Sequence, residues 1–241
     1  MARIEPKVAQ LIIADDHDFV RDGMKDMLSG EEDLQIVGEA ADGLEVVNLC
    51  RQRWPDLVLM DVRMPRMDGL AATRAIKQEH RETSVLMVTM HENPDYLLEA
   101  IRAGAAGYVL KDATREDLVS AIRGVLSGES PLPPELAARL LRRLADEVSG
   151  HPANPSQPEQ MRLLQRLTPR ELEVLEPLAL GRTNREIARD FVVSAGTVKR
   201  HVENIIAKLG VSDRTQAAVR AIELGLLPTN GRDIGGLPPN S

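Results

Sequence analysis

Four short apolar runs in the first half of the chain each end in a residue that carries chemistry. Val8–Ala14 ends at Asp15 and Asp16, Leu57–Met60 at Asp61, Val85–Val88 at Thr89, and Tyr108–Leu110 at Lys111. Between them lie longer amphipathic stretches, roughly Phe19–Leu28, Leu44–Arg53, Gly69–Glu79, Asp95–Ala103 and Thr114–Leu126. That alternation reads as βαβ units around a parallel sheet. Leu34–Val37 supplies a fifth strand, which ends in Gly38 and Glu39. The expected fold is a five-stranded parallel α/β sheet in the flavodoxin-like order 2-1-3-4-5. This order places the first and third strands at the switch point, where open sheets bind ligands. Those strands end in Asp15, Asp16 and Asp61, so topology and chemistry converge on one edge.

Three carboxylates in one pocket repel each other unless a cation neutralises them. The donors there are oxygens, which favours Mg²⁺, with Mn²⁺ as the alternative, over Zn²⁺. Lys111 adds a point charge suited to a phosphoryl oxygen, and Thr89 adds a hydroxyl donor. A carboxylate in such a site can act as a nucleophile and form an acyl phosphate. His17, next to the acids, is expected to start a helix and face away from them. Cys50 and Trp54 are expected to be packing residues.

Charge separates the two halves. Residues 1–130 hold 15 Lys/Arg against 24 Asp/Glu, whereas residues 161–225 hold 11 against 8. The acidic half repels nucleic acid, and the mildly basic one can bind it. Cys50 is the only cysteine, so an internal disulfide is impossible. No signal peptide is evident, and no window approaches the ~18–20 apolar residues of a membrane span. A cytoplasmic protein with no membrane partner is expected.

Four regions are expected: a first domain at 1–127, a linker at 128–160, an all-helical domain at 161–227 and a disordered tail at 228–241. Prolines at 131, 133, 134, 152, 155 and 158 bracket the linker, with an amphipathic helix expected over 135–148. Its stripe of Leu136, Leu140, Leu144 and Val148 suits packing on a domain or on a second copy. In the helical region, Thr168-Pro169-Arg170-Glu171 and Thr183-Asn184-Arg185-Glu186 are capping boxes. Ser194, and Ser212 or Asp213, can cap two further helices, and Gly181 and Gly210 suit helix ends. Pro177 predicts a kink in the first of these helices. Val198, Val202, Ile205, Ile206 and Leu209 fall on one face of Ala195–Leu209. The other face shows Lys199, Arg200, Glu203, Asn204 and Lys208, with Thr197 and His201 near its start. A short helix at Thr183–Asp190 and a tight loop precede it, which is a helix-turn-helix arrangement.

The first half resembles the receiver domains of bacterial two-component response regulators. The resemblance rests on Asp15-Asp16, on Met60-Asp61-Val62-Arg63-Met64-Pro65 followed by Asp68-Gly69, on Thr89, and on Tyr108 and Lys111 three apart. It implies that Asp61 is the phosphoacceptor. Asp15, Asp16, Asp61 and the backbone carbonyl of Arg63 would hold Mg²⁺. Thr89 and Tyr108 would form the switch, and Lys111 would bind the phosphoryl group. Asp112 stands where many receivers carry proline, so a cis bond there would be costly.

The string LTPRELEVL…TNREIA…VSAGTVKRHVENIIAKLGVSDRTQA resembles the LuxR-type helix-turn-helix. Together the two halves resemble the NarL/FixJ regulators. This implies base-edge contacts from Lys199 and Arg200, and phosphate contacts from Asn184, Thr197 and Lys208. His201 and Asn204 are further candidates on that face. Glu203 would accept from a cytosine amino group or discourage wrong sites. The last helix, Arg214–Leu224, resembles the family's dimerisation helix. Expected partners are a sensor histidine kinase, duplex DNA with paired half-sites, a second copy, and RNA polymerase. Two rival readings stand beside this one. One is an enzyme, because three acids and a metal also serve phosphatases and nucleases. The other is a regulator that binds DNA whatever its phosphorylation state.

Overall fold

The structure, a computed structural model, describes residues 8–90, 94–129, 165–224 and 226. Five parallel strands form one sheet: β1 (Ala9–Ala14), β2 (Leu34–Ala40), β3 (Leu57–Met60), β4 (Ser84–Thr89) and β5 (Gly107–Leu110), in the order β2-β1-β3-β4-β5. The helices between and after them are α1 (Asp18–Leu28), α2 (Gly43–Arg53), α3 (Gly69–Glu79), α4 (Pro94–Ala103) and α5 (Arg115–Leu126). Side chains alternate across the sheet. Ile12, Val58, Met87 and Tyr108 face one core with α2, α3 and α4, while Leu11, Leu59, Val88 and Val109 face another with α1 and α5. β3, β4 and β5, and β1 from Leu11 onward, are covered on both faces, which explains why they read as unbroken apolar runs, whereas Gln35 and Glu39 of edge strand β2 are exposed.

β2 extends beyond the expected Val37. Ile12, Ile13 and Ala14 pair with Gly38, Glu39 and Ala40, after a register shift between Leu11 and Ile12. The ladder continues because β1 offers it partners, whatever the local preference of Gly38.

The second unit is all-helical: α6 (Pro169–Ala179), α7 (Asn184–Asp190), α8 (Ala195–Leu209) and α9 (Arg214–Glu223). Both expected capping boxes form, at Thr168 with Glu171 and at Thr183 with Glu186. Ser194 caps α8, and Asp213, rather than Ser212, caps α9. Gly181 and Gly210 carry φ of 78° and 71°, the left-handed geometry of helix ends. Pro177 lies near the end of α6, which runs through it to Ala179. Leu175, Ile187, Val198, Ile205, Ala217 and Ala221 form the centre of this unit's core.

Cys50 is buried, and burial pushes its thiol up to about 12, so it packs as a small apolar group. Trp54 departs from expectation: it is 70 % exposed and meets the His80 ring edge-on at 4.6 Å. Its left-handed backbone, with φ of 50°, closes α2 and turns the side chain outward. The expected helix at 135–148 and the tail at 228–241 lie outside the described residues.

Candidate functional site

The sheet's carboxyl edge brings the acids together. Asp15 follows β1 and is fully buried; Asp61 follows β3 and is nearly so. The Asp61 N–H donates to the carbonyl of Ala14, locking the two strand ends side by side. Lys111 enters from the end of β5, where its N–H donates to the Thr89 carbonyl. Its Nζ lies 2.5 Å from Asp15 Oδ2 and 3.1 Å from Asp61 Oδ1. Burial works against the Lys111 ammonium, but the two carboxylates outweigh it and hold its pKa above the ordinary value. Burial pushes the Asp61 carboxyl up; Lys111 opposes that shift and Asp15 adds to it.

Local turns aim these groups. The His17 N–H donates to Asp15 Oδ1 at 3.0 Å, which fixes that carboxylate as α1 begins. The Arg63 N–H donates to Asp61 Oδ2 at 3.3 Å. Gly69 is required for a different reason. A Cβ there would lie 1.9 Å from the Asp61 carbonyl oxygen, so any side chain forces the loop off the pocket. Asp68 caps α3 by accepting from the Ala71 N–H. The Asp68-Gly69 pair therefore starts a helix and lets it approach the acid.

Thr89 and Tyr108 are both buried. Met87 pairs with Tyr108 and Thr89 with Leu110, so strand alternation puts Thr89 and Tyr108 on the same face of the sheet. Asp16 is more exposed than Asp15 and lies at the pocket's rim.

His17 does not face away as expected. Its Nδ1 is 2.7 Å from Asp16 Oδ1 and 3.4 Å from Asp15 Oδ1. As the residue before the first helical turn, it keeps its side chain over the loop it ends. Ligand atoms of Asp15, Asp16 and His17 lie within 4.8 Å of one another. The donor set therefore fits a divalent cation on hard oxygens beside one imidazole.

The second unit presents a different surface. Val198, Val202, Ile205 and Leu209 of α8 are buried, while Lys199, Arg200, Glu203 and Asn204 are exposed. Thr197 and His201 are half-buried at its start. The Thr197 hydroxyl pairs with Ser194 Oγ at 2.9 Å. Two of the residues expected to contact phosphate are engaged within the unit. Lys208 Nζ bonds both Glu171 oxygens, at 2.6 and 2.8 Å, tying α8 to the start of α6. Asn184 is buried and accepts from Arg214 at 2.7 Å. Periodicity could not show either, because each partner lies at least 30 residues away.

Comparison with known proteins adds to this geometry. Residues 11–123 match the response regulator receiver domain, and residues 165–221 match the bacterial regulatory proteins of the luxR family. The chain is 40 % identical over 217 residues to the transcriptional regulatory protein LnrK of Bacillus subtilis, covering 90 % of this chain and 98 % of the relative. This protein is a response regulator of the NarL/LuxR family.

The family's LiaR of Bacillus subtilis is 39 % identical over 212 residues, 88 % of this chain and 96 % of the relative. A LuxR-family response regulator from Aurantimonas superposes with a TM-score of 0.53 at 35 % identity, covering 57 % of this chain and 98 % of that one. A response regulator of this kind is a DNA-binding transcriptional regulator of a two-component system. Among the described residues no helix is long and apolar enough to cross a membrane.

Proposed function

We propose that Asp61 is the phosphoacceptor and that its phosphorylation controls paired DNA binding by α8. The observation that carries this reading is the Lys111 ammonium set between Asp15 and Asp61 at the end of the sheet. An Asp61 oxygen attacks phosphorus, an acyl–phosphate bond forms, and the donor's P–N or P–O bond breaks. The donor is a sensor kinase's phosphohistidine or a small acyl phosphate. Lys111 moves from carboxylate to phosphoryl oxygen and stabilises its charge. Asp15, Asp16, Asp61 and the Arg63 carbonyl would hold Mg²⁺, or Mn²⁺ in its place. The ion supplies positive charge against the transferring phosphoryl group. The chain's only catalysis is its own gain and loss of phosphate.

Buried Thr89, on the Tyr108 face of the sheet, is the hydroxyl that senses the new oxygens. Lys199 and Arg200 supply base contacts, with Thr197, His201 and Asn204 beside them. Two copies would read two half-sites about one helical turn apart, as symmetric helix-turn-helix dimers do. A cytoplasmic location and contact with RNA polymerase follow from that role.

The test is selection of bound duplexes from a random pool, with and without beryllofluoride and Mg²⁺. A paired motif that appears only with the phosphoryl mimic is the expected result. The same motif in both samples refutes phosphorylation as the control. In parallel, Asp61→Asn must abolish labelling by an acyl phosphate. Product released repeatedly, rather than one label per chain, would make the protein an enzyme.

A further inference from the structure

The inner side of α1 does not close completely against its neighbours. A cavity of about 230 Å³ lies there, walled by Val20, Met24, Leu110 and Leu118. Met24 and Leu118 belong to the core that α1 and α5 share, and Val20 packs against it. Gly23, in the middle of α1, borders the same space, and a Cβ added there would meet nothing within 4 Å. Phe19 and Met90 also line the cavity and are 89 % and 71 % exposed, so its open side is apolar as well. Of the described residues that line it, Lys111 alone is charged. The ammonium of this same residue stands between Asp15 and Asp61. An apolar cavity with one convergent polar group is the usual form of a small-ligand site. Here that group is also the one set to meet a phosphoryl oxygen.

We propose that this cavity selects the phosphoryl donor, and that it favours acyl phosphates with an apolar chain of about four to six carbons over acetyl phosphate. The proposal rests on the reading of Asp61 as the phosphoacceptor. An apolar cavity of about 150 Å³ holds benzene, so this one has room for such a chain. The phosphoryl head lies by Lys111 and the chain runs between Met24 and Leu118. An Asp61 oxygen attacks phosphorus and a new oxygen–phosphorus bond forms. The bond from phosphorus to the acyl oxygen breaks, and the carboxylate leaves with its electron pair. The step needs no proton and no oxidant. Straight-chain carboxylates are equally good leaving groups, so donors of different length differ only in the chain they bury. Each buried methylene should raise the labelling rate about fourfold at donor concentrations below saturation.

The experiment labels the full chain with acetyl, butyryl and pentanoyl phosphate in Mg²⁺ and follows phosphoprotein formation. Butyryl phosphate buries two more methylenes than acetyl phosphate and should label roughly tenfold faster. Gly23→Leu fills the cavity and should bring that ratio within twofold, with Gly23→Ala falling between. Equal rates for all three donors in the parent, or a ratio that both variants leave unchanged, overturn the proposal. A second reading needs no phosphoryl transfer. In protein carrying methyl-labelled methionine, butylphosphonate with Mg²⁺ should shift the methyl resonances of Met24 and of Met27, another lining residue, and methylphosphonate should not. Resonances unmoved by butylphosphonate overturn the proposal too. If no acyl phosphate labels the chain while butylphosphonate shifts these methyls, the phosphoacceptor reading fails and the cavity's preference stands.

Discussion

Replacing Glu171 should cost the helical unit about a third of a typical small domain's stability. Its carboxylate accepts from the Thr168 N–H at 2.7 Å and from Lys208 Nζ at 2.6 and 2.8 Å, while being only 3 % exposed. Glu171→Ala removes the capping partner, worth ~1 kcal/mol. It also strips a charge-assisted bond from a part-buried ammonium, worth ~1.5–3 kcal/mol. Together these give about 3 kcal/mol, or roughly 10–20 °C in the melting of a domain this size. Glu171→Gln keeps the cap and loses the charge, so it should cost about half as much. Lys208→Met should cost ~1–2 kcal/mol, and combining it with Glu171→Gln should cost less than the sum, because the two changes remove one shared interaction. The assay is calorimetry on the full chain, with hydrogen exchange on α6 and α8 to assign the transition. Burial pushes the Glu171 carboxyl up, but the bonds from Lys208 and Thr168 outweigh it and hold the pKa below the ordinary value. A carboxyl lowered by folding stabilises above its unfolded pKa. That stability should be lost as pH falls through the lower, folded value, and Glu171→Ala should flatten this acid limb. A Glu171→Ala chain melting within ~0.5 kcal/mol of the parent would refute the reasoning.

Gly69→Ala should abolish labelling by an acyl phosphate, because the added carbon lands 1.9 Å from the Asp61 carbonyl oxygen; phosphoprotein assay checks this, and normal labelling would show that the loop yields. Lys111→Met should leave folding intact but lower phosphoryl uptake at least a hundredfold, on the order of the ~3 kcal/mol that one oriented donor supplies. Lys199→Ala should cost ~1–3 kcal/mol in binding to selected DNA, with little change on random DNA. Asn184→Ala should cost ~1–3 kcal/mol in melting by leaving the buried Arg214 short of an acceptor, with the single-half-site salt dependence unchanged.

The receiver was legible in the sequence because its chemistry is local. A parallel strand covered on both faces is a short apolar run, and its last residue falls at the sheet edge whatever surrounds it. Asp15, Asp61, Thr89 and Lys111 could therefore be placed by counting from the ends of four runs. Helix caps were legible for the same reason, since Thr168 with Glu171 and Thr183 with Glu186 lie within one turn. The exposed face of α8 followed from spacing alone, because burying every third or fourth residue leaves Lys199, Arg200, Glu203 and Asn204 outside.

Tertiary structure decided what depends on partners far along the chain. Lys208 looks like one more exposed cation until Glu171, 37 residues earlier, folds beneath it. Asn184 looks like a polar helix start until Arg214 buries against it. His17 turned toward Asp16 because the loop ending β1 and the first turn of α1 leave its ring over the acids, a geometry that composition does not encode. The docking of α9 on the receiver was the least visible feature. Val219 and Ile222 read as ordinary apolar positions of a helix, and only the fold shows that they enter a different core from Ala217 and Ala221. Sequence sets which residues a short segment must bury, because periodicity is a property of one strand or helix. Which surface buries them is set by the meeting of distant segments.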